Sequence, residues 1–290
     1  MTKNEFQRLT EKVVILDGAT GTNLIEAGMP RGVCTEKWIL ENPKVLLELQ
    51  RSYVEAGSQI IYAPTFGANR RALALREAAS DIKTLNKELV ELSLCAADGK
   101  AYVAGNLTTS GRVPGVSNAY TYEDALEMYT EQITYLAEAG ADLLAVETMI
   151  SIDETVACVE AATMVCDLPI MCSMTIDADG SLFSGGNAVD AVVTLQQMGA
   201  SAVGINCSVG PDQLEAVVAG MKAVATVPIL VKPNAGIPVI TTKGEAVYSM
   251  NAEDFAKHME KLVSAGAGII GGCCGTTPAY IQALCKKIIR

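Results

Sequence analysis

Short apolar runs rich in valine and isoleucine recur along the whole chain, at 13–20, 59–66, 101–107, 141–148, 169–176, 202–208, 228–234 and 268–274. Longer segments with apolar residues at helical spacing separate them. Near-continuous apolar runs are the mark of parallel strands buried on both faces, and each intervening segment is long enough to cross back over a sheet as a helix. Eight strand-helix units in about 250 residues is the arithmetic of an α/β fold closed as a (β/α)8 TIM barrel. A refrain supports the count, because EAGSQII, EAGADLL, QMGASAV and SAGAGII each place a glycine between a helical segment and a strand. Glycine ends a helix there by taking a left-handed conformation that other residues resist. No linker, charge block or low-complexity tract interrupts residues 1–290, so a single barrel domain is expected.

Such a barrel assembles its site from the carboxyl ends of the strands and the loops that follow them. Those ends carry Asp17 in DGATGT, Glu147 in LLAVET, Cys207 in GINCS, Asn234 in VKPNAG and the adjacent Cys273 and Cys274 in GGCCGTTP. The Gly- and Ser-rich segment at 177–187 follows the fifth run and is expected among the loops of the working end. It opens like a calcium loop, but Ala188 stands where the closing glutamate belongs, so calcium is rejected.

Composition removes whole classes of function. Lys plus Arg number 22 against 33 Asp plus Glu, a formal charge of −11, and an acidic surface repels phosphodiester backbones and anionic lipid. Neither nucleic acid nor a membrane is expected as a partner. The longest uncharged stretches, 191–211 and 262–285, are too interrupted by Gly, Ser and other polar residues to read as spans of ~20 apolar residues. A single histidine, His258, rules out a multi-histidine metal site and leaves a Ser-His-Asp triad dependent on that residue. Its helix, opened by Asn251 and Glu253, favours a packing role. Nine cysteines, with no apolar signal-type segment at the amino terminus, fit a reducing cytoplasm.

A lone cysteine is most often core filler, and Cys95, Cys158, Cys166 and Cys285 on predicted helices, Cys172 in the fifth run and Cys34 in a loop are read that way. Cys207, Cys273 and Cys274 differ, because they fall at the ends of runs six and eight beside glycines that let the backbone approach closely. Three thiolates without histidine favour zinc, with sulfur at ~2.3 Å and a fourth position left for a substrate. Zn²⁺ with three thiolates carries a formal charge of about −1, poor for hydrolysis, yet it would hold a substrate thiol as thiolate well below a free pKa of ~8.5. Asp17 and Glu147 could serve core donors, but a buried carboxylate needs a cation and none of these strand ends supplies one, which points to a substrate ammonium. Asn234 could equally cap its turn or touch the site.

With these motifs the chain resembles the homocysteine S-methyltransferase family, and within it the cobalamin-dependent methionine synthase branch. The resemblance runs from about residue 14 to about residue 281 and rests on DGATGT, the segment at 39–61, DLLAVET, GINCSVGP, KPNAG and GGCCGTTP. It implies that Cys207, Cys273 and Cys274 bind the zinc that activates homocysteine. Asp17 and Glu147 match the family's amino-acid-binding carboxylates, and the backbone around Gly18, Ala19 and Thr20 is the candidate for the substrate carboxylate. In-line displacement would then give methionine, a thioether that ligates zinc weakly and leaves.

Two segments depart from the family pattern. The usual TNTF is Ala63-Pro64-Thr65-Phe66, and the usual GSLGP-like run is Gly105-Asn106-Leu107-Thr108, which leaves substrate contacts from those loops open. The resembled enzymes append folate- and cobalamin-binding domains, whereas this chain ends at Arg290, so a separate methyl donor is expected. KPNAG and APTFGANR look closer to the cobalamin-dependent branch, which ranks a methylated corrinoid protein first. S-methylmethionine, or another small sulfonium or ammonium, is the alternative. Outside this chemistry stands a non-catalytic barrel with a structural zinc or redox thiols, which needs a fourth ligand such as Cys34 or Cys172. A phosphate-binding barrel is weakened by the two cysteines that replace bare glycines after run eight.

Overall fold

The computed structural model describes residues 1–76, 81–111, 120–241 and 246–289. Among the described residues ten strands occur in chain order: β1 (Val14–Ile15), β2 (Ile60–Tyr62), β3 (Tyr102–Leu107), β4 (Leu143–Met149), β5 (Ile170–Met174), β6 (Ala202–Cys207), β7 (Ile229–Pro233), β8 (Pro238–Ile240), β9 (Ala246–Tyr248) and β10 (Ala267–Ile270). Eight of them form one parallel sheet in the order β1-β10-β7-β6-β5-β4-β3-β2. A parallel bridge from Leu16 to Ile60, and a hydrogen bond from Gln59 N to Ile15 O at 2.7 Å, join β1 to β2 and bring the sheet round on itself. The expected (β/α)8 barrel is therefore the fold. The four refrain glycines, Gly57, Gly140, Gly199 and Gly266, all have left-handed φ values, between 89° and 119°.

The last barrel strand stops at Ile270, short of the apolar run that continues to 274. A Cβ on Gly271 would lie 2.8 Å from Asp17 O, and one on Gly272 would lie 2.5 Å from Thr276 Oγ1, so the chain leaves the sheet here through a passage only glycine fits. The antiparallel pair β8–β9, which follows β7 and lies outside the eight predicted runs, is separate from the barrel sheet. No helix among the described residues is long and apolar enough to cross a membrane.

Strand parity explains how the site is built. Inward positions lower in the barrel are apolar, with Val14, Leu16, Ile60, Ala104, Leu143, Ala145, Met171, Ala202, Leu230 and Ile269 in one buried cluster. Phe6 of the helix Lys3–Leu9 packs into that cluster and plugs the amino-terminal end of the barrel. Two residues further along, the inward positions become Tyr62, Asn106, Glu147, Ser173 and Lys232, and Asn206 stands four beyond Ala202, all buried. A polar layer thus caps an apolar one. The larger core lies between sheet and helices and includes Tyr129, Ile133, Val159, Leu195, Phe255 and Leu284.

Candidate metal and substrate site

The Sγ atoms of Cys207, Cys273 and Cys274 lie within 4.8 Å of one another. Sulfurs at ~2.3 Å from a tetrahedral zinc stand about 3.8 Å apart, so the donor set and its spacing fit that ion. Cys207 and Ser208 both take left-handed backbone conformations, with φ of 62° and 60°, and Thr148 does so at 59°. Non-glycine residues in that region persist only where their surroundings hold them, at a cost of about 1–3 kcal/mol each. Asn206 supplies one clamp, accepting from Thr148 N and donating to Thr148 Oγ1, each at 2.8 Å. Ser208 Oγ accepts from Ile176 N at 2.9 Å and also meets Thr175 Oγ1, while Ser208 O accepts from Asn234 Nδ2 at 3.1 Å. These contacts fix the turn that aims Cys207 at its partners.

The three thiols hydrogen-bond to one another. Hydrogen bonds from Cys207 and Cys273 pull Cys274 down to about 3 against burial, with a further hydrogen bond from Tyr248. Cys207 is driven up by hydrogen bonds to Cys273 and Cys274. Tyr248, on β9, packs so closely over Gly275 that a Cβ there would sit 2.3 Å from its ring. Sequence reasoning missed this residue, since nothing in EAVYSM marks a tyrosine that reaches a cysteine far along the chain.

The cysteines open on a cavity of about 360 Å³, also lined by Asp17, Asn106, Glu147, Lys232, Gly18, Ala19, Thr20, Ala63, Pro64 and Phe66. Asp17 is 1% exposed; its Oδ2 accepts from Tyr62 N at 2.8 Å, and its Oδ1 lies 3.4 Å from Lys232 Nζ. Lys232 also lies 3.4 Å from Gly18 O and stands over the Tyr62 ring at 4.9 Å. Its presence corrects the expectation that the strand ends hold no cation. Lys232 shares the inward parity of Leu230, and reading only the strand tip passed over it.

Burial pushes Asp17 up to about 6, although Lys232 and the Tyr62 N–H oppose the rise. Glu147 is also raised by burial, against Lys232 and a hydrogen bond from Asn106 Nδ2 at 2.8 Å. Lys232 is held up by Asp17 and Glu147 although burial acts to lower it. One ammonium, paired with Asp17, against the two carboxylates Asp17 and Glu147 leaves an excess of negative charge among these three groups, which suits a cationic ligand.

Other positions fare differently. Ala19 lines the cavity, but its N–H already donates to Thr276 Oγ1 at 3.1 Å, which leaves Gly18 and Thr20 as the candidate amides. Asn234 does not line the cavity; its amide holds the Ser208 carbonyl. The 177–187 segment likewise stays out of the lining, and Asn187 caps the helix Ala188–Gln197. His258 is half-buried on the helix Ala252–Ser264, away from the cavity. Cys158 and Cys172 are buried as filler, whereas Cys95 is exposed, on the outer face of its helix beside Arg51. Cys34 donates to Glu36 at 3.3 Å. Among the described residues neither Cys34 nor Cys172 joins the thiol cluster, so the fourth ligand of a closed structural site is not brought there.

The departing segments also contribute. Asn106 reaches Glu147, and Ala63, Pro64 and Phe66 form an apolar wall. Glu36 and Arg76 line the cavity as well, paired at 3.1 Å, with no signal in the sequence to mark them.

Comparison with known proteins agrees with this arrangement. Residues 14–288 match the family described as homocysteine S-methyltransferase. The methionine synthases of Mycobacterium leprae (strain TN) and Mycobacterium tuberculosis (strain ATCC 25618 / H37Rv) are each 28% identical, over 98% and 97% of this chain. The chain spans 25% of the length of either one. Among solved structures, the metallated homocysteine methyltransferase MmuM from Escherichia coli is 27% identical with a TM-score of 0.79, covering 94% of this chain and 95% of that one. The carboxyl transferase domain of Rhizobium etli pyruvate carboxylase, 12% identical with a TM-score of 0.54 over 98% of this chain and 48% of that one, shares the barrel fold alone. With the family match extending over almost its full length, this chain belongs to the homocysteine S-methyltransferase family.

Proposed function

We propose that the protein transfers a methyl group to the sulfur of homocysteine, giving methionine, with a zinc ion held by Cys207, Cys273 and Cys274. When bound, the ion supplies the positive charge that keeps a substrate sulfur in its thiolate form at neutral pH. The observation that carries this reading is the meeting, in one cavity, of three thiols within 4.8 Å of one another and two buried carboxylates, Asp17 and Glu147, of which Asp17 pairs with Lys232. An amino acid with a thiol side chain answers both ends.

In this reading Asp17 and Glu147 hold the substrate ammonium, and the amides of Gly18 and Thr20 receive its carboxylate. Lys232 keeps Asp17 ionised and aligned. Ala63, Pro64 and Phe66 limit water beside the sulfur, so the nucleophile meets the donor rather than solvent. A sulfur lone pair forms the new S–C bond while the methyl–donor bond breaks, and the donor keeps that electron pair. The thiol proton has left beforehand. A reducing cytoplasm is the compartment that keeps these thiols available.

The donor we favour is a methylated corrinoid protein, on the likeness of KPNAG and APTFGANR to the cobalamin-dependent branch. A small sulfonium such as S-methylmethionine is the alternative donor. Zinc-loaded protein incubated with homocysteine and, separately, methylcobalamin, S-methylmethionine, S-adenosylmethionine and betaine tests both. Methionine from methylcobalamin supports the corrinoid donor, and methionine only from a small sulfonium replaces it. No methionine from any donor, with homocysteine bound, would overturn methyl transfer.

A further inference from the structure

Three buried acceptor atoms of the cavity lack a hydrogen-bond donor: Asp17 Oδ1, Asn106 Oδ1 and Glu147 Oε2. Lys232 approaches the first only at 3.4 Å, as an ion pair. A buried polar atom left unpaired costs on the order of 1–3 kcal/mol, so three together mark a place where donors belong.

The orientation of Asn106 is fixed by its neighbours. Its Nδ2 donates to Glu147 Oε1 at 2.8 Å, its backbone N–H donates to Thr65 Oγ1 at 2.9 Å, and the residue is 5% exposed. A carboxylate only accepts, so the amide must give its NH2 to Glu147 and turn its carbonyl oxygen away. That oxygen is the unpaired one. An ammonium group carries three N–H donors, and three acceptors wait for them.

We propose that Asn106 Oδ1 is the third contact of the substrate ammonium, beside Asp17 Oδ1 and Glu147 Oε2, and that it selects a primary amine over an N-alkylated one. This rests on homocysteine being the acceptor. The carboxylates attract any cation, methylated or not, whereas neutral Asn106 adds no net charge and rewards only a third N–H. Asn106 is therefore a selectivity residue, and its loss changes which amine is preferred more than whether an amine binds.

Calorimetric titration of the zinc-loaded protein with L-homocysteine and with N-methyl-L-homocysteine tests this in the wild type and in Asn106→Ala. The wild type should bind homocysteine about tenfold more tightly than the N-methyl compound, the worth of one hydrogen bond, and Asn106→Ala should bring the two within about threefold. Asn106→Ser serves in the same comparison should Asn106→Ala fail to give a cooperative melt. A wild type without preference, or a variant that keeps the full preference, overturns the assignment while homocysteine binding stands. Failure of the wild type to bind homocysteine at all overturns the functional reading, and the third contact with it.

Discussion

Lys232 holds its ammonium 3.4 Å from Asp17 Oδ1, with both side chains at most 5% exposed. Burial has raised Asp17 from 3.8 to about 6 in spite of that partner. A carboxyl whose folded pKa is raised stabilises the fold below its unfolded value and loses that contribution as pH climbs through the folded one, here across roughly pH 4 to 6. Ligand binding has the opposite sign, because a substrate ammonium needs the ionised carboxylate. Homocysteine affinity should therefore rise between roughly pH 5 and 7. Lys232→Met removes the charge that opposes the shift, so Asp17 should titrate higher and the rise should move to higher pH, with weaker binding at neutrality. Titrations across that range check it, and coincident profiles would show that Lys232 does not set the charge of Asp17.

The thiol cluster should load about one zinc per chain, since three soft ligands converge there and no other such group occurs among the described residues. Cys207→Ser and Cys274→Ser should each lower the zinc content sharply. Tyr248→Phe is the finer case, because its hydroxyl hydrogen-bonds Cys274 without belonging to the cluster. Loss of such an outer partner should weaken zinc about 10- to 100-fold in a chelator competition while leaving stoichiometric loading at saturating metal.

What the sequence made legible was height along the barrel rather than direction. Runs of Val and Ile located the strand tips, and the tips named Asp17, Glu147 and the three cysteines. Parity decides which side chains turn inward, and counting by twos from Leu230 finds Lys232, whereas Asn234 beyond it turns its amide to Ser208. The left-handed backbones of Thr148 and Cys207 were not legible, because no glycine marks them and Asn206 and the Ser208 contacts impose them from other strands. Nor was the β8–β9 pair, whose apolar Val239 and Val247 are exposed and so do not mark a buried face.

Phe6 is 2% exposed at the end of the barrel away from the cysteines, packed with the first inward residues of several strands. Phe6→Ala should lower stability by about 3–5 kcal/mol in urea unfolding, as for other large aromatic truncations in a core. Zinc content of the folded fraction should stay at the wild-type value. A loss of metal instead would mean that the plug and the thiol cluster are coupled through the barrel interior.

Glu147→Gln separates substrate binding from metal binding. Glu147 Oε1 accepts from Asn106 Nδ2 at 2.8 Å, and the Glu147 backbone carbonyl accepts from Thr108 Oγ1 at 2.9 Å. A glutamine can keep both contacts, so the loop after β3 should remain in place. It would present an NH2 where Oε2 stood, donor facing donor, to a substrate ammonium. The lost charge-assisted hydrogen bond is worth on the order of 1.5–3 kcal/mol, roughly a ten- to hundredfold rise in dissociation constant for homocysteine. Burial raises the pKa of Glu147, so its ionised form weighs against the fold at neutral pH and the neutral amide removes that cost. Melting temperature should hold or rise. Zinc content should also hold, since Glu147 lies outside the thiol cluster. If the substitution strips the zinc, or leaves homocysteine affinity unaltered, the carboxylate does not anchor the ammonium and the substrate lies the other way along the cavity.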